Sequence, residues 1–207
     1  MTIKQLGVFT LWGILVCTSC GRMSGEFTKE ELSLIHEADS IMHVLTIDNP
    51  AEHLVLRSPS SDLSVRSLLS EDYNKLCSLM IATVTHPTQD GVGIAGPQVG
   101  LNRRIVAVQR FDKAGEPFEV YTNVRIVWAS DSLKYGPEGC LSVPGRRGDV
   151  LRSQEIVIEY ALAEAECCSE KDPERITMAR DTVKGFTAVI FQHEIDHLDG
   201  IIYIDRL

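Results

Sequence analysis

Apolar residues recur at helical spacing in two long segments of the chain. The first segment predicts a helix from residue 71 to about residue 85, because Ser70 can cap its start and Pro87 stops it. The second predicts a helix from about residue 184 to residue 198, and Gly200 is well placed to end it.

The helix predicted over residues 184–198 carries an apolar stripe that includes two histidines. The members of the stripe lie at i, i+3, i+4, i+7 and i+11, so we expect this side of the helix to face the core. A weaker stripe predicts a helix over residues 30–44, and residues 49–63, which contain Pro50 and Pro59, are predicted to be extended or looped. The stripe of the 184–198 helix consists of Phe186, Val189, Ile190, His193 and His197.

Four segments between these helices are rich in β-branched residues, which predicts strands. Helices at both ends of a run of strands indicate an α+β domain. Residues 163–174, a charged segment with the vicinal Cys167 and Cys168, are predicted to form an exposed turn between the last two strands. The predicted strands span residues 104–109, 119–128, 155–162 and 175–183.

Length, composition and charge limit the number of domains and make one class of binding partner unfavourable. The chain has 207 residues, 44% of them apolar, which is enough for one hydrophobic core and leaves little room for a second. The formal net charge is −9, and no cluster of lysine and arginine stands out. A nucleic-acid partner is therefore disfavoured, because phosphate binding requires a concentrated basic surface.

Residues 1–20 are predicted to be a secretory signal. Lys4 precedes an apolar stretch at residues 6–16 that is too short to cross a bilayer comfortably. Small residues before Cys20 resemble a bacterial lipoprotein cleavage box, although Cys17 stands where leucine is usual, so ordinary secretory cleavage is the alternative. We expect an exported protein that contacts the membrane only through a lipid anchor, if Cys20 is lipidated.

The stretch FQHEIDHLDG contains a candidate metal site. His193 and His197, four residues apart on a helix, can both reach one Zn²⁺ or Fe²⁺ at ~2.0–2.1 Å, and Glu194 can border the open side of the ion. The alternative is an ordinary polar helix end. Burying two histidines with Glu194 and Asp196 would cost much desolvation free energy if none of them bound an ion, which favours the metal site.

A helix of this kind supplies two ligands, and a catalytic site requires a third. Cys140 lies in YGPEGCLSVPG among glycines and prolines that would hold it on a turn or bulge near a strand. With the two histidines it completes a Cys-His-His set that leaves one coordination position for water.

The stretch GVGIAGPQVG, residues 91–100, matches G-x-G-x-x-G. A dinucleotide site is rejected, because that pattern should follow a strand and open a helix, whereas here a helix and Pro87 precede it and Pro97 follows. The glycines would instead let the backbone approach a substrate, and Gln98 offers an amide donor.

Three motifs follow one another along the chain: Gly91-x-Gly93-x-Ala95-x-x-Gln98, Glu138-Gly139-Cys140-Leu141-Ser142 and His193-Glu194-x-Asp196-His197. In this order and with these separations they resemble the signatures of the peptide deformylases, and the resemblance covers residues 54–207. The resemblance implies an α+β fold in which antiparallel or mixed sheets surround a central helix bearing the H-E-x-x-H unit. It also implies hydrolysis of the formyl group from N-formyl-methionyl peptides, with release of formate.

The resemblance implies one divalent ion, Fe²⁺ in many members and Zn²⁺, Ni²⁺ or Co²⁺ in others, bound by the thiol and the two imidazoles. Glu194 would act as general base and then general acid, and the extended substrate would pair with the backbone of Val92 and Gly93. Glu138 and Arg152 would brace the cysteine loop. The metal ligands would be Cys140, His193 and His197, and the oxyanion donors would be the Gln98 side chain and the Leu141 backbone N–H.

Two other functions are alternatives: a zincin-type endopeptidase, which requires a further His or Glu ligand after His197, and a lipid-anchored protein that binds peptides without cleaving them. Residues 21–50 are predicted to be a tether with an N-terminal helix, and residues 51–207 the deformylase-like catalytic domain. Deformylases act in the cytosol, so a cytoplasmic location is expected if the signal is not used.

Overall fold

A five-stranded antiparallel sheet forms the centre of the protein, and two further strands form a separate two-stranded sheet. The computed structural model describes residues 25–162 and 176–207, so the predicted signal, Cys20 and the 163–174 turn lie outside the described residues. The helices are α1 (Lys29–Glu37), α2 (Pro50–Leu56), α3 (Val65–Leu68), α4 (Glu71–Val84) and α5 (Gly185–Leu198), with short 3-10 turns at Gly96–Val99 and Tyr203–Arg206. The strands are β1 (Gly93–Ala95), β2 (Ile105–Gln109), β3 (Phe118–Ala129), β4 (Leu133–Cys140), β5 (Val143–Ser153), β6 (Glu155–Leu162) and β7 (Thr177–Lys184). The central sheet has the strand order β1-β2-β3-β6-β7, and β4 pairs with β5 in the smaller sheet.

Helices cover both faces of the central sheet. In β2, Val106 and Val108 pack toward α5, while Ile105 and Ala107 pack toward α1 and α4. A strand buried on both faces must be apolar throughout, which explains the unbroken IVAV run. The predicted α+β fold with a central H-E-x-x-H helix is confirmed.

Helix α5 follows its sequence prediction closely. Gly200 has a φ of 73° and ends it, with the Ile201 N–H donating to the Asp196 carbonyl at 2.9 Å. One member of the predicted stripe is wrong: Phe186 is 55% exposed. It lies in the first turn, before the helix reaches the centre of the core.

The sequence predicted α4 correctly and α1 too long. Ser70 caps α4 by accepting a hydrogen bond from the Tyr73 N–H at 3.1 Å. Helix α1 ends at Glu37 instead of residue 44, because the following chain runs along α4 and the Met42 N–H donates to the Thr83 hydroxyl at 2.8 Å. Met42 is buried in the core there, a tertiary contact that outweighs local helix propensity.

The prediction of an extended or looped segment over residues 49–63 is wrong for residues 50–56, which form helix α2, and is confirmed for residues 57–63. Proline is compatible with the first helical position, where its missing N–H has no partner in any case. Asn49 caps the helix by accepting from the Ala51 N–H at 3.0 Å.

The β4–β5 hairpin was not predicted as strands, since its glycines and prolines have low β propensity. The register shifts between Gly139 and Cys140, so the thiol does lie at an irregularity at the end of a strand. The hairpin has its own small core, formed by Leu56, Val143, Val150, Ile202 and Tyr203.

An ion pair holds helix α1 against the segment that leads into β2. Arg103, 1% exposed, donates to both carboxylate oxygens of Glu31 at 2.7 and 2.8 Å, and Ile35 is fully buried in the core. None of the helices in the described part of the chain has the length and apolar character that crossing a membrane requires.

Candidate metal and catalytic site

Three side chains with metal-binding atoms converge between α5 and the β4–β5 hairpin. His193 and His197 lie one turn apart on α5, 9% and 0% exposed. The Cys140 Sγ lies 3.1 Å from the His197 Nε2, and the candidate ligand atoms of the three residues all lie within 4.8 Å of one another. The structure therefore brings together the thiol and the two imidazoles that the sequence singled out.

The environment of Cys140 favours its thiolate form. Burial by itself would raise the pKa of the thiol, but the adjacent imidazoles of His197 and His193 outweigh burial and lower the pKa to about 5. The thiolate is the form in which cysteine binds metal ions.

His193 is oriented by a buried carboxylate. Its Nδ1 lies 2.8 Å from the Glu138 Oε2, which leaves the Nε2 to face the site. Arg152 holds the same carboxylate through two bonds of 2.7 and 3.0 Å. Although burial would raise the pKa of Glu138, the hydrogen bonds from His193 and Arg152 lower it to about 2. Glu138 thus braces the hairpin and also aims a candidate ligand.

Asp196, inside the H-E-x-x-H unit, points away from the candidate ligands. It accepts hydrogen bonds from Arg152 at 2.6 Å and from Arg206 at 2.5 Å to each oxygen. The carboxylates after His197 are also engaged, Asp199 by Arg104 and Asp205 by Arg57. This pattern disfavours the zincin hypothesis, in which a residue after His197 supplies the third ligand.

Glu194 is a buried carboxyl beside the three candidate ligands. It is 4% exposed, and among the described residues its Oε2 has no hydrogen-bond partner. Burial raises its pKa to about 7, although the neighbouring His193 and His197 act in the opposite direction. A carboxyl with this pKa can both accept and donate a proton near neutral pH.

The Gln98 side chain is held so that its amide NH₂ faces the site. Its Oε1 accepts from the Ala95 N–H at 2.9 Å, which fixes the orientation of the amide. The Nε2 then lies 3.2 Å from the Ser142 Oγ and 3.5 Å from the Cys140 Sγ. Gln98 is 1% exposed, so the donor is preorganised.

Strand β1 brings the predicted substrate-binding backbone to the site. It is an edge strand of the central sheet, paired with β2 through Gly93 and Val108. A Cβ at Gly93 would lie 2.4 Å from the Glu194 Oε1, so Gly93 and Glu194 are in direct contact. Val92 accepts from the Gln109 N–H at 2.9 Å, and Leu141 lies between β4 and β5, directly after Cys140.

Two residues near the site were not predicted to have a role. Ser142, fully buried, bonds Gln98; its place in the Glu138–Ser142 motif could have indicated it. Tyr203 stacks on His193 with ring centroids 6.0 Å apart and an interplanar angle of 23°. Nothing in the sequence around Tyr203 indicates that contact.

The donor set fits one divalent ion with an open coordination position. One thiolate and two imidazoles are borderline-soft ligands that suit Fe²⁺ or Zn²⁺. Donors of a tetrahedral site lie roughly 3–4 Å apart, so atoms already within 4.8 Å require only small adjustments to share an ion. The unpartnered Glu194 Oε2 is available to a water on the open side.

Comparison with known proteins identifies the family. The family model for polypeptide deformylase matches residues 41–207. The match begins 13 residues before residue 54, where the resemblance seen in the sequence motifs was predicted to start. Peptide deformylase from Leptospira biflexa is 33% identical over 175 residues, which covers 81% of this chain and 88% of that protein. The enzyme from Symbiobacterium thermophilum is 36% identical over 165 residues, covering 77% of this chain and 64% of that protein.

Solved structures agree with this assignment. The actinonin-bound class I type b peptide deformylase from Acinetobacter baumannii superposes with a TM-score of 0.66 and 30% identity, covering 82% of this chain and 99% of that chain. Peptide deformylase from Thermotoga maritima gives a TM-score of 0.66 at 28% identity, covering 82% and 99%. The match to the family model, the identity to curated deformylases and the shared fold all agree with the motifs and the buried Cys-His-His cluster. The chain therefore belongs to the polypeptide deformylase family.

Proposed function

We propose that this deformylase binds one divalent ion through Cys140, His193 and His197, with Glu194 as the group that moves protons. The enzyme hydrolyses the formyl amide of N-formyl-methionyl peptides and releases formate. The observation that carries the assignment of roles is the convergence of a thiol and two imidazoles next to the buried Glu194 carboxyl, one oxygen of which has no hydrogen-bond partner in the described part of the chain.

The proton transfers fall to Glu194. When bound, an ion of this class supplies a Lewis acid that lowers the pKa of water to roughly 7. Glu194 accepts a proton from the attacking water and returns it to the departing amine, as general base and then general acid. Its pKa of about 7 suits both directions of transfer.

The negative charge that develops on the formyl oxygen requires hydrogen-bond donors. The Gln98 Nε2, fixed by the Ala95 N–H, is one donor, and the Leu141 backbone N–H is the second. A preorganised donor of this kind stabilises the transition state by about 3–4 kcal/mol.

The peptide backbone of the substrate is proposed to pair with the free edge of β1 at Val92 and Gly93. Main-chain pairing tolerates any side chain after methionine, which suits substrates of variable sequence. A related deformylase from Acinetobacter baumannii has been crystallised with Met-Ala-Ser bound, and its structure gives a TM-score of 0.66 with this chain at 29% identity.

Fe²⁺ is the proposed native ion, with Zn²⁺, Ni²⁺ and Co²⁺ as substitutes. The set of one sulfur and two nitrogen donors binds all four ions, so selection follows the geometry of the site and the availability of each metal. Elemental analysis of protein purified without oxygen from its own host identifies the ion.

The enzyme is further proposed to act outside the cytosol, anchored through Cys20 if that residue is lipidated. The positive residue, short apolar stretch and small residues before Cys20 support export. The intact mass of the protein in the membrane fraction tests lipidation, and Cys20→Ala should release the protein from that fraction. Unmodified mass in a soluble fraction would contradict the anchor.

One assay tests the catalytic proposal. Protein lacking residues 1–20, loaded without oxygen with Fe²⁺ or with Ni²⁺, is given formyl-Met-Ala-Ser or casein. We expect formate release that Glu194→Ala abolishes and that Glu159→Ala, a change in an ion pair with the exposed Arg180, leaves intact. Casein cleavage would indicate an endopeptidase, and tight retention of the peptide without turnover would indicate a binding protein.

A further inference from the structure

The 3-10 turn Tyr203–Arg206 lies against the candidate metal site and is tied to other elements of the fold. Tyr203 stacks on His193. Asp205 forms an ion pair with Arg57, the residue that ends α2. A turn held in this way can influence the site without contacting the substrate.

Arg206 begins a chain of charged hydrogen bonds that ends at His193. Its Nε and Nη2 donate to the two oxygens of Asp196, each at 2.5 Å. The Asp196 Oδ2 also accepts from Arg152 at 2.6 Å, and Arg152 binds Glu138 at 2.7 and 3.0 Å. Glu138 is the partner of the His193 Nδ1 at 2.8 Å.

In this series of hydrogen bonds, the positive charges equal the negative charges only when Arg206 is included. Glu138 and Asp196 are two carboxylates with side chains 5% and 11% exposed, and Arg152, 4% exposed, bonds to both. Without Arg206, one guanidinium would face two largely buried negative charges. Coulomb attraction would then draw Arg152 toward Asp196 and weaken its two-bond hold on Glu138.

We propose that Arg206 is a positioning residue for the metal ligand His193, which it orients through Asp196, Arg152 and Glu138. This inference rests on the proposed function, in which His193 binds the ion. Arg206 has 40% of its side chain exposed, and in this series of hydrogen bonds it bonds Asp196 and not a candidate metal ligand. Its proposed role is to neutralise Asp196, so that Arg152 keeps its two hydrogen bonds to Glu138. Partners that orient metal ligands in this way typically alter metal affinity about 10- to 100-fold when removed.

The decisive measurement is metal affinity. If Arg206 had a purely structural role, replacing it would lower the thermal stability of the protein but leave its metal affinity unchanged. Zn²⁺ affinity of the folded protein is measured by competition with a chromophoric chelator. We expect Arg206→Met to weaken binding about 10-fold. Arg206→Lys keeps the charge but lacks the two-pronged geometry, so it should restore part of the loss. The matched control Arg180→Met, in the exposed pair with Glu159, should leave affinity unchanged.

A double-mutant cycle tests the route through Asp196. In an Asp196→Asn background there is no carboxylate to neutralise, so adding Arg206→Met should change affinity about twofold or less. A second readout requires no turnover. In zinc-loaded protein with labelled histidine, the Nδ1 proton of His193 should exchange with water faster in Arg206→Met than in the wild type, because Glu138 holds it less firmly.

Unchanged or higher Zn²⁺ affinity in Arg206→Met would overturn the inference, as would an equal loss in the Asp196→Asn background. Higher affinity would mean that the uncompensated negative charge attracts the cation more than the loosened ligand weakens it. These outcomes are distinct from failure of the proposed function, in which the wild-type protein itself would neither bind Zn²⁺ through His193 nor release formate.

Discussion

At the scale of single residues, the closest approach in the site is between Gly93 and Glu194. Gly93 has no positive φ, so its backbone would accept other residues, and the limit is space alone. A Cβ there would lie 2.4 Å from the Glu194 Oε1 and 2.9 Å from its Cδ. Strand β1, the proposed substrate-binding strand, and Glu194, the proposed general base, are therefore in close contact at Gly93.

Gly93→Ala should lower kcat/KM about 100-fold, because the new methyl group displaces the Glu194 carboxylate by a distance on the order of 1 Å. The contacting atoms are at the end of a flexible side chain, so the carboxylate moves and the fold does not. Steady-state formate release and a thermal melt check this together. A variant with normal activity would show that Glu194 can work from a displaced position.

Gln98→Met should lower kcat by about 100- to 1,000-fold while KM changes much less, because the lost amide donor acts on the transition state more than on the bound substrate. Full kinetics with formyl-Met-Ala-Ser separate the two constants. The metal content of the variant is measured alongside, since the Gln98 Nε2 also lies 3.5 Å from the Cys140 Sγ. A loss confined to KM would assign Gln98 to substrate binding instead.

At the scale of elements, short polar side chains fix where the helices begin. Ser70, Asn49 and Ser64 each accept a hydrogen bond from a backbone N–H in the first turn of α4, α2 and α3. Helix α4 packs on the face of the sheet opposite α5. The Ser70 hydroxyl bonds Ser67 and Tyr73, so this cap can be removed without removing a hydrogen bond to a candidate metal ligand.

Ser70→Ala should lower the free energy of unfolding by about 1 kcal/mol, because the Tyr73 N–H loses its cap. Urea denaturation measures the change, and kcat should be unaffected. The control is Ser78→Ala on the exposed side of the same helix, where the hydroxyl donates to the Asn74 carbonyl and the expected change is within about 0.5 kcal/mol. Equal effects at both positions would refute capping as the cause.

At the scale of the whole molecule, buried arginines form ion pairs with carboxylates. Arg110 has 2% of its side chain exposed and bonds to Asp112 and Asp181. Its guanidinium lies 5.8 Å from the rings of Tyr121 and Phe191 in the core against α5. The hydrogen bonds from Arg110 hold the pKa of Asp112 below its usual value, although burial acts the other way.

A carboxyl with a lowered pKa in the folded state stabilises the protein above its unfolded pKa, about 3.9 for aspartate. That contribution is complete above about pH 5 and is lost as the pH falls through the folded value. The free energy of unfolding of Asp112→Asn should therefore fall less steeply than that of the wild type between about pH 5 and pH 3. Urea titrations at several pH values test this, and exposed Asp131→Asn is the control that should keep the wild-type slope.

Much of the fold and the chemical identity of the site could be predicted from sequence, because both are encoded locally. The periodicity of α4 and α5 and the β-branched strands depend on side chains within a few positions of one another. His193 and His197 are one turn apart on a single helix, so their shared direction follows from helix geometry alone. Cys140 was added because it completes a Cys-His-His set with these histidines, and the resemblance to the deformylases then assigned the Gln98 amide as an oxyanion donor.

Only the tertiary structure decided the parts that depend on residues distant in the chain. Helix α1 ends at Glu37 because the chain that follows it bonds α4, and the hairpin strands form although their own residues disfavour them. The Glu138 that orients His193 lies 55 positions away, and Gly93 meets Glu194 only once β1 and α5 have packed. The sequence by itself therefore determined which groups are candidates for the chemistry, through short-range periodicity, spacing and motif order. Their mutual distances and orientations were decided by packing, because no local sequence pattern indicates which side chains distant in the chain will contact each other in the folded protein.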